Sequence, residues 1–166
     1  MQNPRIGIII GSKSDWHLVE KALEATKDLH LPCVVRIASA HRTPEAVERW
    51  IKEAEASGVE VFIAVAGKAA HLAGVVAAHT IRPVIGVPVE SAALSGFDAL
   101  LSTVQMPKGI PVATVALGKH GGTNAALLAI QILALGDAGL RKRLLAHKAK
   151  MAAGVEESSR KLQDRV

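Results

Sequence analysis

His41 and Arg42 set a titratable imidazole beside a permanent cation in the run Ser39-Ala40-His41-Arg42-Thr43-Pro44. Near neutral pH an imidazole both gives and takes a proton, and a guanidinium holds phosphate or carboxylate. Side by side they suit proton transfer on an anionic substrate. A lone loop histidine is more often a solvated side chain, so His41 needs company to count. Gly11-Ser12-Lys13-Ser14-Asp15 supplies two hydroxyls suited to phosphate oxygens, Ser12 and Ser14, and a carboxylate, Asp15, suited to ribose hydroxyls. The plain alternative is that Ser14 or Asp15 only caps a helix. Gly67-Lys68-Ala69-Ala70-His71 adds a second cation and a second histidine, His71, itself either a site residue or a helix cap.

These three runs need elements that bring them together. Cys33-Val34-Val35-Arg36-Ile37-Ala38 is short, β-branched and bounded by Pro32, so it reads as a strand. Thr43-Pro44-Glu45 starts a helix, with Thr43 as N-cap, Pro44 first and an acid in the first turn. The same reading predicts strands at residues 5–10, 59–65, 84–87 and 112–117. Helices are predicted at 15–30, 44–57, from about 70 to before Arg82-Pro83, at 97–104, 123–135 and from 137 onward. Five strands alternating with helices make an α/β protein with a doubly wound, five-stranded parallel sheet and right-handed crossovers. The leading topology is flavodoxin-like, order 2-1-3-4-5, in three α/β/α layers. Its switch point lies between strands one and three, so the loops at 11–15 and 67–71 meet there, and the His41 loop borders the same crevice. Convergence of three loops counts for more than any one motif. The whole chain, residues 1–166, reads as a single domain: an α/β core over 1–136 and a C-terminal helix over 137–166.

Composition narrows the function. Of 166 residues 49% are hydrophobic and only 2% aromatic, a Val/Ile/Leu/Ala profile suited to a buried parallel sheet under close-packed helices. Mean hydropathy of +0.27 on so small a chain also points to a subunit interface. The net charge of +5 is not gathered into one block. Its densest cluster, Arg141-Lys142-Arg143 with Lys148 and Lys150, shares a helix with Glu156 and Glu157. With almost no aromatics to stack bases, a nucleic-acid platform is disfavoured, and a small phosphorylated substrate accounts for the charge. Cys33 is the single cysteine, which leaves no disulfide framework and no thiolate metal cluster. The histidine spacings match no zinc signature, and P-loop, dinucleotide and Gly-x-Ser-x-Gly patterns are absent. His17, His30, His79 and His147 read as structural or solvated. No apolar stretch reaches the ~18 residues of a membrane span, and the N-terminus resembles no signal peptide, so a cytoplasmic protein is expected.

Taken together, Gly-Ser-Lys-Ser-Asp-Trp (11–16), Ser-Ala-His-Arg-Thr-Pro (39–44), Ala-Ala-His-Leu (69–72), Pro-Val-Ile-Gly-Val-Pro-Val (83–89) and Val-Gln-Met-Pro-Lys-Gly-Ile-Pro-Val (104–112) closely resemble the bacterial N5-carboxyaminoimidazole ribonucleotide mutase family. That family is the catalytic subunit of phosphoribosylaminoimidazole carboxylase in purine biosynthesis, and the resemblance runs to about residue 136. It implies a flavodoxin-like subunit in a homo-octamer, with sites near subunit boundaries and no metal or organic cofactor. An ATP-dependent, carbamate-forming synthetase is the functional partner to expect. By position, the resemblance makes His41 the acid/base, has Ser12 and Asp15 bind substrate and gives its phosphate to Arg42. Ser14, Ser39, Gly67, Lys68, Ala69 and His71 line the same pocket.

The chemistry fits these residues. A carbamate loses carbon dioxide once its nitrogen is protonated, the ring carbon then attacks the trapped gas, and the proton on that carbon must leave. One imidazole, with an ordinary pKa near ~6.5, serves both steps, and small residues such as Ala69, Ala70 and Ala73 make a dry pocket. Two positions depart from the family's pattern: Lys68 where glycine is usual and Ala73 where proline is usual. A lysine forced into a left-handed conformation costs about 1–2 kcal/mol; in an ordinary backbone its ammonium reaches the pocket. The animal-type relatives, which carboxylate the aminoimidazole nucleotide directly with carbon dioxide, carry arginine there but lack the Ala-Ala-His-Leu that follows. Direct carboxylation is therefore the nearest alternative. A non-catalytic nucleotide-binding module on the same fold is a more distant one, since it needs no His41.

Overall fold

Side chains alternate across a strand, so Ile6, Ile8 and Ile10 of β1 (Ile6–Ile10) pack to one side and Ile9 to the other. In β3 (Val61–Gly67), Val61, Ile63 and Val65 join the first cluster, and Phe62 and Ala64 the second. All eight other than Ala64 are fully buried, and Ala64 nearly so. A strand buried on both faces needs helices on both. The computed structural model describes residues 3–163 and supplies them; the outermost residues of the expected 1–166 domain and 137–166 helix lie outside that range.

The remaining strands are β2 (Cys33–Ile37), β4 (Val84–Val89) and β5 (Ala113–Thr114). All five are parallel in the order β2-β1-β3-β4-β5, the order read from the sequence. On one face lie α1 (Trp16–Asp28), α5 (Lys119–Leu133) and, through Leu140, the start of α6 (Ala138–Gln163). On the other lie α2 (Pro44–Ala56) and α3 (Leu72–Ala78), whose Trp50 meets Phe62 edge to face at 5.8 Å. The eight-residue helix α4 (Phe97–Val104) packs over Gly86 of β4, where any Cβ would strike Thr103. Ile10 pairs with Ile37 on one side and Val65 on the other, so β1, β2 and β3 end nearly level and their loops leave from one edge.

Several expected boundaries move; the third strand, for one, runs Val61–Gly67 rather than 59–65, and the fourth extends to Val89. The fifth strand shrinks from 112–117 to two residues: the Gly86 carbonyl accepts the Val115 N–H, but the next β4 residue whose main chain faces β5 is Pro88, which has no N–H to offer. The helix expected at 123 starts at Lys119. Gly121 and Gly122 are helical rather than a turn: a Cβ at Gly122 would collide with the Leu18 carbonyl of α1, so glycine here permits close helix approach. The helix expected from about residue 70 is shorter, Leu72–Ala78. The first helix begins as a 3-10 turn, Lys13–Asp15, before α1 proper.

Candidate active site

The loop after β2 is stiffened by its own side chains. The Ser39 backbone N–H donates to Thr43 Oγ1 at 2.9 Å, and the Arg42 N–H donates to Ser39 Oγ at 3.2 Å. Thr43 occupies the N-cap position of α2, yet its hydroxyl bonds the turn instead of the helix. This tight turn projects His41 and Arg42 from an edge strand back across β1. Arg42 Nη2 donates to the Gly11 carbonyl at 3.3 Å, joining the loop after β1. His41 Nε2 lies 2.8 Å from His71 Nδ1, with the rings edge to face at 4.9 Å, joining the loop after β3. At that separation one nitrogen carries a proton and the other presents its lone pair, so the two imidazoles share one proton along their contact.

In the first loop Asp15 is buried, and the Ser14 hydroxyl donates to its carboxylate at 2.8 Å. Ser12 Oγ accepts from the Ser14 N–H and lies 2.9 Å from Ser14 Oγ. The three groups form one hydrogen-bonded cluster in the loop whose Gly11 carbonyl Arg42 reaches. In the third loop Gly67 sits against Val89 of β4, and Lys68 has φ +58°. The left-handed alternative for Lys68 is therefore the one the chain adopts, at about 1–2 kcal/mol, and its side chain is exposed from this backbone too. Two tight turns follow, Ala70 N–H to the Lys68 carbonyl and His71 N–H to the Ala69 carbonyl, and they deliver His71 to His41. His41, Arg42, Lys68, Ala69 and His71 are all exposed, so the site is a shelf rather than a closed cavity.

The three loops singled out in the sequence thus meet at the switch point, through His41 with His71 and Arg42 with the Gly11 carbonyl, while Asp15 is buried beside Ser14. Sequence reasoning overlooked Thr43 as the lock of the turn and the Gly11 carbonyl as the acceptor for Arg42. The first had a signal in its spacing four residues after Ser39, while a main-chain carbonyl leaves none. It also set aside His17, whose Nδ1 stands 3.1 Å from the Ser14 carbonyl and supports the serine loop from α1. Among the described residues no group of three His, Cys, Asp or Glu is placed to hold a metal ion, and no helix is long and apolar enough to cross a membrane.

A parallel α/β protein of flavodoxin-like topology, with paired histidines and an arginine at its switch point, is the class these features define. The AIR carboxylase family matches residues 5–154, and the chain belongs to that family. It is 55% identical over 143 residues to N5-carboxyaminoimidazole ribonucleotide mutase of Escherichia coli, covering 86% of this chain and 85% of that protein. The enzyme of that name from Methanocaldococcus jannaschii is 52% identical over 159 residues, covering 96% and 98%. The crystal structure of Treponema denticola PurE superposes with a TM-score of 0.87 at 32% identity, covering 96% of this chain and 98% of that one.

Proposed function

We propose that this protein is an N5-carboxyaminoimidazole ribonucleotide mutase, an isomerase of purine biosynthesis that moves a carboxylate from the exocyclic nitrogen to a ring carbon. The observation that carries the reading is the 2.8 Å contact between His41 and His71, beside an arginine bound to the Gly11 loop. His41 gives a proton to the carbamate nitrogen; the N–C bond breaks, its electron pair stays on nitrogen, and carbon dioxide is freed. The ring carbon forms the new C–C bond to that carbon dioxide, and its proton passes back to His41. Protons balance over the cycle, so one histidine serves as acid and then base. His71 steadies the His41 ring and its tautomer through the shared proton. Arg42, Ser12 and Ser14 hold the phosphate, Asp15 and Ser39 position the ribose side, and Gly67, Lys68 and Ala69 border the carboxylate.

The test is incubation of the pure protein with carboxyaminoimidazole ribonucleotide, without ATP or bicarbonate. Conversion of the carbamate to the carbon-bound carboxylate is expected. Carboxylation of the decarboxylated nucleotide by carbon dioxide, with the carbamate left untouched, would move the reading to the direct carboxylase. The mutase names of the curated relatives favour the first outcome. Carbamate formation needs an activated carboxyl donor, so a separate ATP-dependent synthetase is the proposed supplier of the substrate.

The assembly we propose is a homo-octamer. A reaction that must retain carbon dioxide needs a dry site, and the exposed shelf of a single subunit needs cover. Exposed apolar side chains are available for that contact: Phe97, Leu101 and Val104 along α4, and Leu145, Met151 and Val155 along α6. α6 buries only Leu140 over its 26 residues and leaves a groove of about 560 Å³ against α5. Light scattering at micromolar concentration should give a mass several times 17.4 kDa; a stable monomer would defeat the proposal. With one cysteine and no possible intrachain disulfide, the chain suits the reducing cytoplasm, where we place it.

A further inference from the structure

Lys68 holds a conformation that a glycine would adopt at no steric cost. Three non-glycine residues among those described have positive φ: His30, Lys68 and Ser95. His30 follows the end of α1, an ordinary place for a left-handed residue, and Ser95 precedes the left-handed Gly96 that caps α4. Lys68 terminates no helix. It lies between the end of β3 and the two tight turns that carry His71 to His41. The backbone's task there is one that glycine performs better, so the reason for a lysine has to lie in its side chain. Backbone strain of this kind gathers at ligand clamps.

The charges around the shelf say what that side chain is for. Arg42 leans over the Gly11–Asp15 side through the Gly11 carbonyl, and the carboxylate of that loop, Asp15, is occupied by the Ser14 hydroxyl. Lys68 lies on the loop after β3, three residues before His71, exposed, and makes no ion pair or side-chain hydrogen bond among the described residues. The three loops therefore present two cations without a counter-ion, Arg42 against the Gly11 loop and Lys68 on the loop that carries His71. A nucleotide with a phosphate at one end and a carboxylate at the other is the complementary ligand.

We propose that Lys68 anchors the migrating carboxylate and makes the site selective for carboxylated over non-carboxylated nucleotide. The inference rests on the mutase reading and deepens it. The ammonium attracts the carboxylate equally on nitrogen and on carbon, and attracts neutral carbon dioxide hardly at all. It therefore stabilises substrate and product above the intermediate between them. Such ground-state binding lowers KM without raising kcat, and it keeps the pool of free carbon dioxide in the site small.

Lys68→Gly and Lys68→Arg test this through binding and turnover measured together. Calorimetry compares the carboxylated product nucleotide with the same nucleotide lacking the carboxylate. For Lys68→Gly, affinity for the carboxylated nucleotide should fall about tenfold, the size expected of one exposed charge-assisted contact. Affinity for the other should stay within about twofold. KM should rise by a similar factor while kcat does not fall, and the thermal midpoint should not drop, because the strained backbone is relieved. Lys68→Arg should restore the selectivity. Equal weakening of both nucleotides, or wild-type affinity for both, would overturn the anchor. Carboxylate-selective binding that depends on Lys68 in a protein unable to rearrange the carbamate would instead overturn the mutase reading and leave the anchor standing.

Discussion

At the amino end of the sheet Arg5 donates to Glu60 at 2.5 Å and to Asp137 at 2.8 Å, and so ties β1 to the approach of β3 and the start of α6. At the carboxyl end Arg42 and Lys68 stand exposed, and neither forms an ion pair among the described residues. The contrast lies in who supplies the counter-charge. The hydrogen bond with Glu60, first among several causes, raises the Arg5 pKa above its ordinary value, so the charge there is spent on structure. A cation left without a partner in the folded chain is free to take one from a ligand. Substitutions at the two ends should therefore separate cleanly into losses of activity and losses of stability.

The largest effect is expected at the carboxyl end. His41→Asn should lower turnover by roughly 100- to 10000-fold, the usual cost of losing a general acid/base, with the thermal midpoint unchanged. Near-normal turnover in that variant would take His41 out of the chemistry. Arg42→Ala comes next. A phosphate clamp holds ground and transition states alike, so KM should rise by roughly 10- to 100-fold with a much smaller change in kcat. If steady-state kinetics gave the reverse split, Arg42 would belong to the proton-transfer machinery rather than to phosphate binding.

The smallest effect belongs to the amino end. The Asp137 carboxylate accepts the Leu140 N–H at 2.9 Å, which caps α6, and also pairs with Arg5. The Leu140 hydrogen bond foremost, against some desolvation, and then Arg5 hold its pKa below the ordinary value. A lowered native pKa means the contribution is complete above the unfolded value near ~3.9 and fades as the pH falls through the native one. Wild type should thus melt higher than Asp137→Asn at pH ~6, with the gap narrowing below pH ~4 and both variants equally active at neutrality. A gap independent of pH would show that the carboxylate charge is not its source.

Much of the site was legible because its residues cluster in sequence. Each of the three loops is five or six residues long and follows a short apolar, β-branched run, so chain order alone placed Ser12, His41 and His71 at the ends of three parallel strands. The direction of the error at β5 is equally instructive. Val112-Ala113-Thr114-Val115-Ala116-Leu117 has every local mark of a strand, but pairing is a property of two strands, and Pro88 on the neighbour ends it. Gly121 and Gly122 look like a turn for the same kind of reason: the demand for Gly122 comes from the Leu18 carbonyl, about a hundred residues earlier, and that for Gly121 from the Ala116 carbonyl and Val87 of β4.

What the sequence determined by itself is the alternation of elements, the double-sided burial of β1 and β3, and hence the layer order and the switch point, because these follow from periodicity and from the handedness of parallel crossovers. The tertiary structure decided the rest. The 2.8 Å contact of His41 with His71, thirty residues apart, depends on the Ser39–Thr43 lock and on strands ending level. The left-handed backbone of Lys68 depends on Gly67 lying against Val89 and on the turns that must follow. Local pattern specifies which way a side chain faces along its own element; which atoms meet across elements is set by register and packing, and the chemistry of this shelf is made of such meetings.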